Sequence, residues 1–318
     1  MEHIVLIDKN QNVFGTGDNS YYQLGLGISQ YTKDLEEMNI KAIFTTCSRY
    51  YTILINEAME VFVCGQFMGE TYDYPYKLPV DAVSAACNNG HCIFINENNE
   101  IFACGNNDRG QLGLGHVNKV DGIVKLPFKA VMVACGLKFT IFITEKQKVY
   151  ACGLGFGQLG NGYVSYERIK LHISAVYVSC GPKHAIFITK DQEVYVYGDN
   201  EYNQIGLIDT EFAHVPTKLP INAVKSYCST YYSILINKDN EVFFSGYNSN
   251  HFITESSYDK IKEFTKINSK IISAVCSFDR LVLINENNKV SINQYPVYNF
   301  THYSSNKRFM KTKSANKK

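Results

Sequence analysis

Apolar residues in this chain come in short blocks, not in helical rows. Ile53-Leu54-Ile55, Ile93-Phe94-Ile95, Ile141-Phe142-Ile143, Ile186-Phe187-Ile188, Ile234-Leu235-Ile236 and Val282-Leu283-Ile284 are typical. Each block sits in a run of about five residues rich in Val, Ile, Phe, Tyr and Cys, the side chains that fit a pleated surface. Asn, Asp, Gly and Lys bound the runs, as in Asn96-Glu97-Asn98-Asn99-Glu100 and Asn237-Lys238-Asp239-Asn240-Glu241. Asn and Asp tolerate left-handed backbone, so these joins read as hairpin turns. No stretch holds an apolar period near 3.6, so the prediction is strands without helices.

The blocks recur. An aliphatic residue followed four positions later by glycine marks Val13–Gly17, Val61–Gly65, Ile101–Gly105, Val149–Gly153, Val194–Gly198 and Val242–Gly246. A seventh copy, Val290–Gln294, has lost its glycine. The steps are 48, 40, 48, 45, 48 and 48 residues. In register with them, about 18 residues before each glycine position, stand Cys47, Cys87, Cys135, Cys180, Cys228 and Cys276. Four copies add a turn after the glycine: Gln23-Leu24-Gly25, Gln111-Leu112-Gly113, Gln158-Leu159-Gly160 and Gln204-Ile205-Gly206. Three or four short strands per repeat describe one blade of a propeller. A lone blade cannot bury both its faces, so neighbours must supply the packing.

Two familiar propellers do not fit: the chain has no tryptophan for a Trp-Asp signature, and no Gly-Gly pair occupies these slots. Ser179-Cys180-Gly181-Pro182-Lys183-His184 through Val194-Tyr195-Val196-Tyr197-Gly198, and Ile101-Phe102-Ala103-Cys104-Gly105 through Gly110-Gln111-Leu112-Gly113, resemble the regulator of chromosome condensation repeat over about residues 1–295. Repeat two lacks the Gln-Leu-Gly turn, repeat six has Asn250-His251-Phe252-Ile253 in its place, and repeat seven is eroded. The resemblance implies an all-β, seven-bladed propeller. His3–Ile7 aligns with His184–Ile188, so the chain starts part-way through a repeat, lacking one strand. Val297–Tyr303 is expected to supply it, closing the ring by pairing N- and C-terminal strands, because an open ring leaves edges. Residues 1–303 then form the propeller, and 304–318 a basic, disordered tail.

Composition narrows function. A net charge of +1 with 19% charged residues gives no field for general nucleic-acid binding. Contact with nucleic acid or chromatin is left to the tail, whose Lys307, Arg308, Lys311, Lys313, Lys317 and Lys318 also fit a nuclear address. Neither an 18-residue apolar run nor a basic-then-apolar leader is present, so the expected setting is the cytoplasm or nucleus, with no membrane span. Nine of the ten cysteines fall into two repeat slots, Cys64, Cys104 and Cys152 filling the second; only Cys92 stands outside. They therefore read as compact packing residues rather than a disulfide set. Cys87, His91 and Cys92 have no second ligand pair at zinc spacing, so no metal is assigned.

Gly155-Phe156-Gly157-Gln158-Leu159-Gly160 matches a dinucleotide fingerprint, but no helix or βαβ unit follows; it reads as a turn, and the inter-strand segment Asn161–Ile173 after it as a further loop. His3, His91 and His184 share a slot filled elsewhere by Tyr51, Phe139, Tyr232 and Arg280, which suits an inter-loop hydrogen bond better than acid–base chemistry. No nucleophile elbow, phosphate loop or kinase set appears, so neither catalytic residues nor cofactors are assigned. The loops after the cysteines carry Arg49, Tyr50, Tyr51, His91, Lys138, Lys183, His184, Tyr231, Phe278, Asp279 and Arg280. Tyr, Arg and Phe are residues that anchor interfaces, and this set is the expected partner-binding surface. Loops after the glycines offer Tyr21, Tyr22, Arg109, Phe156 and Tyr202 as a second set. The expected function is a protein-binding regulatory scaffold or adaptor, like propellers attached to ubiquitin ligases and kinases. The alternative implied by the resemblance is a guanine-nucleotide exchange factor for a Ran-type small GTPase. No wedge-like insertion and no N-terminal tail of the kind that factor uses is seen. A tryptophan-based light sensor is excluded by composition.

Overall fold

The computed structural model describes residues 3–154, 164–247, 260–276, 281–285, 290–292 and 295–298. They contain strands and no helix, so no helix among them is long and apolar enough to cross a membrane. Within each sheet, consecutive strands pair antiparallel. The first sheet is β1 (His3–Ile7), β2 (Asn12–Gly17) and β3 (Thr32–Lys41). Next come β4 (Phe44–Cys47) to β5 (Tyr51–Ile55), β6 (Glu60–Phe67) and β7 (Glu70–Asp81), then β8 (Ser84–Asn88), β9 (His91–Ile95), β10 (Glu100–Gly105) and β11 (Val120–Lys129). The fourth sheet is β12 (Met132–Cys135), β13 (Phe139–Ile143), β14 (Lys148–Leu154) and β15 (Val164–Ser174); the fifth is β16 (Tyr177–Cys180), β17 (His184–Ile188), β18 (Glu193–Asp199) and β19 (Phe212–Asn222). β20 (Lys225–Cys228), β21 (Tyr232–Ile236) and β22 (Glu241–Tyr247) form the sixth with β23 (Lys260–Cys276). β23 runs on to pair with β24 (Leu281–Asn285), which leads to β25 (Val290–Ile292) and β26 (Tyr295–Tyr298). Seven strand groups thus follow the seven sequence repeats. Neighbouring groups touch through their first strands: β4 against β8, β8 against β12, β12 against β16 and β16 against β20. This is the propeller arrangement.

The three-residue apolar blocks have a period-two logic. Second strands are buried end to end in β5, β9, β13, β17 and β21. In the β13 block Ile141–Ile143 the middle residue, Phe142, packs with Ile93, Ile95 and Leu112 of the preceding blade. Its flanking Ile141 and Ile143 pack with Phe187 and Tyr197 of the following one. Alternate side chains point to opposite faces, and both faces meet a neighbouring blade, so all three positions of the block must be apolar.

Two expectations change. The segment 161–173 reads as a loop, yet β15 covers Val164–Ser174. Fourth strands lie at the blade edge and are largely exposed, as the burial of β7 and β19 shows, so polar residues interrupt their apolar pattern. Second, Cys87 and Cys92 are joined as a disulfide, with Cα atoms 4.3 Å apart. They are direct partners across β8 and β9, a juxtaposition that repeat spacing conceals because Cys92 has no counterpart. Cys64, Cys104 and Cys152 remain buried thiols, raised to about 12 by desolvation. Of the segment expected to close the ring, Val297 and Tyr298 lie in β26 and pair with β25; residues 299–303, like the tail 304–318, lie outside the described residues.

Candidate functional site

Strand direction decides which loops share a face. β4 and β6 are both antiparallel to β5, so both end on the same side of the ring. The loop after each cysteine and the loop after each glycine therefore meet. Backbone hydrogen bonds weld them within a blade: Gln66 N to Tyr50 O (2.8 Å), Asn106 N to Gly90 O (2.8 Å), Leu154 N to Lys138 O (2.8 Å), Asp199 N to Lys183 O (3.1 Å) and Tyr247 N to Tyr231 O (2.9 Å). The exposed members of the two candidate sets, among the described residues, form one surface; Phe156 of the second set lies outside the described residues. Hairpin turns such as Asn56–Met59 cap the opposite face, near which exposed ion pairs recur: Lys77–Glu60, Lys125–Glu100, Lys218–Glu193 and Lys266–Glu241, at 2.5 to 2.6 Å.

The long post-glycine loop is held by an asparagine and a glutamine. Asn107 is buried; its Nδ2 donates to the carbonyls of His116 (2.8 Å) and Asn118 (3.2 Å), and its Oδ1 accepts from Leu112 N (3.1 Å). Asn19 and Asn200 repeat this pattern. Gln23, Gln111 and Gln204 each accept the backbone N–H two residues earlier. Sequence reading missed these asparagines. Their signal is an Asn two residues after the repeat glycine in the three copies where the loop is described.

This scaffold sets side chains of adjacent blades against each other. Tyr21 and Tyr50 meet edge to face at 4.9 Å, with Arg49 over the Tyr50 ring at 5.3 Å. At the equivalent seam two blades on, Lys138 pairs with Asp108 at 3.5 Å, and Arg109 lies alongside Asp108. Two further blades on, Tyr202 and Tyr231 meet at 4.7 Å. Arg49, Tyr50, Lys138, Lys183 and Tyr231 are thus brought to this face, wholly or partly exposed.

Three expected site residues are not on it. Tyr51, His91 and His184 are buried. Tyr51 donates its hydroxyl to His91 O at 3.2 Å. His91 Nε2 bonds Thr140 Oγ1 (3.1 Å) on the next blade, and the Thr140 hydroxyl donates to Gln111 O (2.7 Å), the carbonyl of the Gln-Leu-Gly turn. With that hydroxyl proton committed, Nε2 carries the imidazole proton. His3, Thr52 and Gln23 form the same relay at 2.7 Å per step, and His184 bonds Ser233 at 2.8 Å. The slot ties blade to blade. Burial lowers the pKa of His3 and His91 to about 4 and of His184 to about 3. Phe278, Asp279 and Arg280 lie outside the described residues.

Residues 82–111, 98–143 and 175–204 match models described as the regulator of chromosome condensation (RCC1) repeat. These segments are RCC1-type repeats. Solved RCC1-type propellers superpose on most of the chain. Human WBSCR16 aligns with a TM-score of 0.80 at 17% identity, over 89% of this chain and 84% of that one. Prp20p from Saccharomyces cerevisiae, whose structure is described with its binding to Gsp1p and histones, gives 0.77 at 17% identity, over 87% and 78%. Yeast RCC1 (Prp20) bound to Kap60 gives 0.77 at 17%, over 87% and 76%. No curated protein sequence matches. Identity this low conveys the RCC1 fold and leaves the loops, where the repeats differ, to define the site.

Proposed function

We propose that this protein is an interaction propeller, a regulatory scaffold or adaptor that holds a partner protein on the face where post-cysteine and post-glycine loops meet. The observation that carries this is the convergence there of aromatic and cationic side chains from adjacent blades, in slots the fold leaves variable. Tyr50 with Tyr21 and Arg49, Lys138 with Asp108, and Tyr231 with Tyr202 are the residues assigned to contact. Aromatic and arginine anchors on a rigid frame are what interfaces concentrate their energy in. Affinity capture followed by mass spectrometry tests the reading. Arg49→Ala with Lys138→Ala should lose partners that Lys77→Met with Lys218→Met, on the other face, retains; the reverse pattern overturns it.

A second reading is exchange activity on a Ran-type small GTPase. The likeness to Prp20p, described with Gsp1p, favours it, though at fold level only. An exchange factor would bind the nucleotide-free GTPase more tightly than the loaded one. A nucleotide-release assay with a Ran-type GTPase decides: no acceleration at micromolar protein removes this reading and leaves the scaffold.

A further inference from the structure

Three positions meet at each long-loop seam of this face. The first follows the repeat glycine by four residues and donates its N–H to the loop glutamine: Tyr21, Arg109 and Tyr202. The second precedes the next blade's second strand, and the third donates its N–H to the second's carbonyl: Tyr50 with Gln66, Lys138 with Leu154, and Tyr231 with Tyr247. The fold forces each trio together whatever its chemistry. One trio is Tyr, Tyr and Gln, another Arg, Lys and Leu. Only at the seam between the fifth and sixth blades, among the described residues, are all three tyrosine.

There the rings of Tyr202, Tyr231 and Tyr247 lie 4.7, 6.3 and 6.4 Å apart, each pair inclined at 64 to 73°. The Lys260 ammonium sits 5.1 Å from the Tyr202 centroid and donates to the Glu201 carbonyl at 3.2 Å. Glu201 and Asp199 stand close enough to hold the Tyr202 hydroxyl above its usual pKa, Glu201 most. Aromatic faces carry a negative quadrupole that attracts cations, and carboxylates alongside add to that field. Lysine marks the spot with the protein's own cation.

We propose that Tyr202, Tyr231 and Tyr247 form a receptor for an organic cation, held by Lys260 in the free protein and taken over by a methylated lysine side chain of a bound partner. Methylation is the discriminating chemistry. A plain ammonium is compact and strongly hydrated, and ring faces offer it no oxygen to replace that water. A methylated one is less hydrated and makes dispersion contact with the rings while keeping its charge. The proposal rests on reading this face as the partner-binding one.

The probe is N-acetyl trimethyl-lysine amide, against its neutral tert-butyl isostere, by NMR titration of full-length protein. The charged probe should bind at least about fivefold more tightly than the isostere, the ratio expected of a partly exposed cation–π site. Tyr202→Ala and Tyr247→Ala should lose binding at an unchanged melting temperature, and Tyr247→Phe, which keeps the ring, should retain it. Lys260→Ala should tighten binding, because it removes the resident competitor. Equal binding of the isostere, or no binding to either wild type or Lys260→Ala up to about 50 mM, a ceiling well above such affinities, overturns the proposal. Tetramethylammonium binding as tightly as the lysine probe overturns the assignment to a partner side chain. Failure of the Arg49 and Lys138 capture experiment removes the partner from this face but leaves probe binding at the seam to be measured by itself, and loss of probe binding leaves the capture result intact, so the two failures are distinguishable.

Discussion

Gly105 shows why one residue type recurs at the end of the third strand. Its φ is +92°, and a Cβ there would run into the Gly90 carbonyl oxygen and the His91 Cα. The obstacle is backbone, held by β9, and cannot swing aside. Gly105→Ala should therefore cost about 3 kcal/mol or more, from strain and overlap together. Gly69 makes the control. Its φ is +94°, but nothing lies within 4 Å of the added carbon, so Gly69→Ala should cost only about 1 kcal/mol of backbone strain. Denaturant titration of both separates sterics from conformation. The buried histidines make a second prediction at this scale. An unfolded imidazole takes its proton near pH 6.5, whereas folded His184 waits until about 3. Between these values the unfolded chain binds more protons, so stability is full above pH 6.5 and is lost as pH falls through that window. From pH 7 to pH 5 each such histidine forfeits about 2 kcal/mol. His184→Gln keeps a donor for Ser233 and removes the titration, so its melting temperature should fall less than the wild type's between those pH values. An equal fall would mean that His184 is not held neutral.

At the scale of the strand and loop, the sequence is legible where burial is two-sided. The three-residue blocks of the second strands are apolar throughout because both faces meet a neighbour, and the repeat glycines follow from a close backbone approach. Fourth strands such as β7, with Tyr74 and Tyr76 exposed, carry no such imprint, and β15 was hidden in the same way. The recurring histidine was legible as an inter-loop tie, although Tyr51, His91 and His184 of that slot also read as surface candidates, which the structure buries. Least legible was the composite face: Tyr202, Tyr231 and Tyr247 are brought together by strand direction, which no local pattern encodes. Two measurements test which loop features matter. Asn107→Ala leaves Leu112 N and the His116 and Asn118 carbonyls without their buried partner, and should cost about 2–3 kcal/mol while loosening the loop above it. Hydrogen exchange at Leu112 reports this directly. By contrast, the exposed Lys218–Glu193 pair, though short at 2.5 Å, is screened by water. Lys218→Met should move the melting temperature by no more than about 1 °C.

Across the whole molecule, each blade's stability depends on its neighbours, because cores such as that of Val5, Val13, Leu24, Leu54 and Cys64 span a seam rather than a sheet. The histidine relays fasten the same seams. Thr52 links the first blade to the second, receiving from His3 and donating to Gln23; Thr140 does this between the third and fourth. Replacing either with valine keeps the volume and strands one buried donor and one buried acceptor, so each change should cost about 2–3 kcal/mol. The two relays share no residue. If the ring behaves as a set of nearest-neighbour interfaces, Thr52→Val and Thr140→Val combined should cost the sum of the single losses to within about 0.5 kcal/mol. The urea slope should stay unchanged, since the same surface is exposed on unfolding. A combined loss well beyond the sum would mean that strain at one seam is carried around the ring to the other. Partner loops on separate seams, at Tyr50 and at Tyr231, would then be mechanically coupled, and a protein bound at one would alter the other.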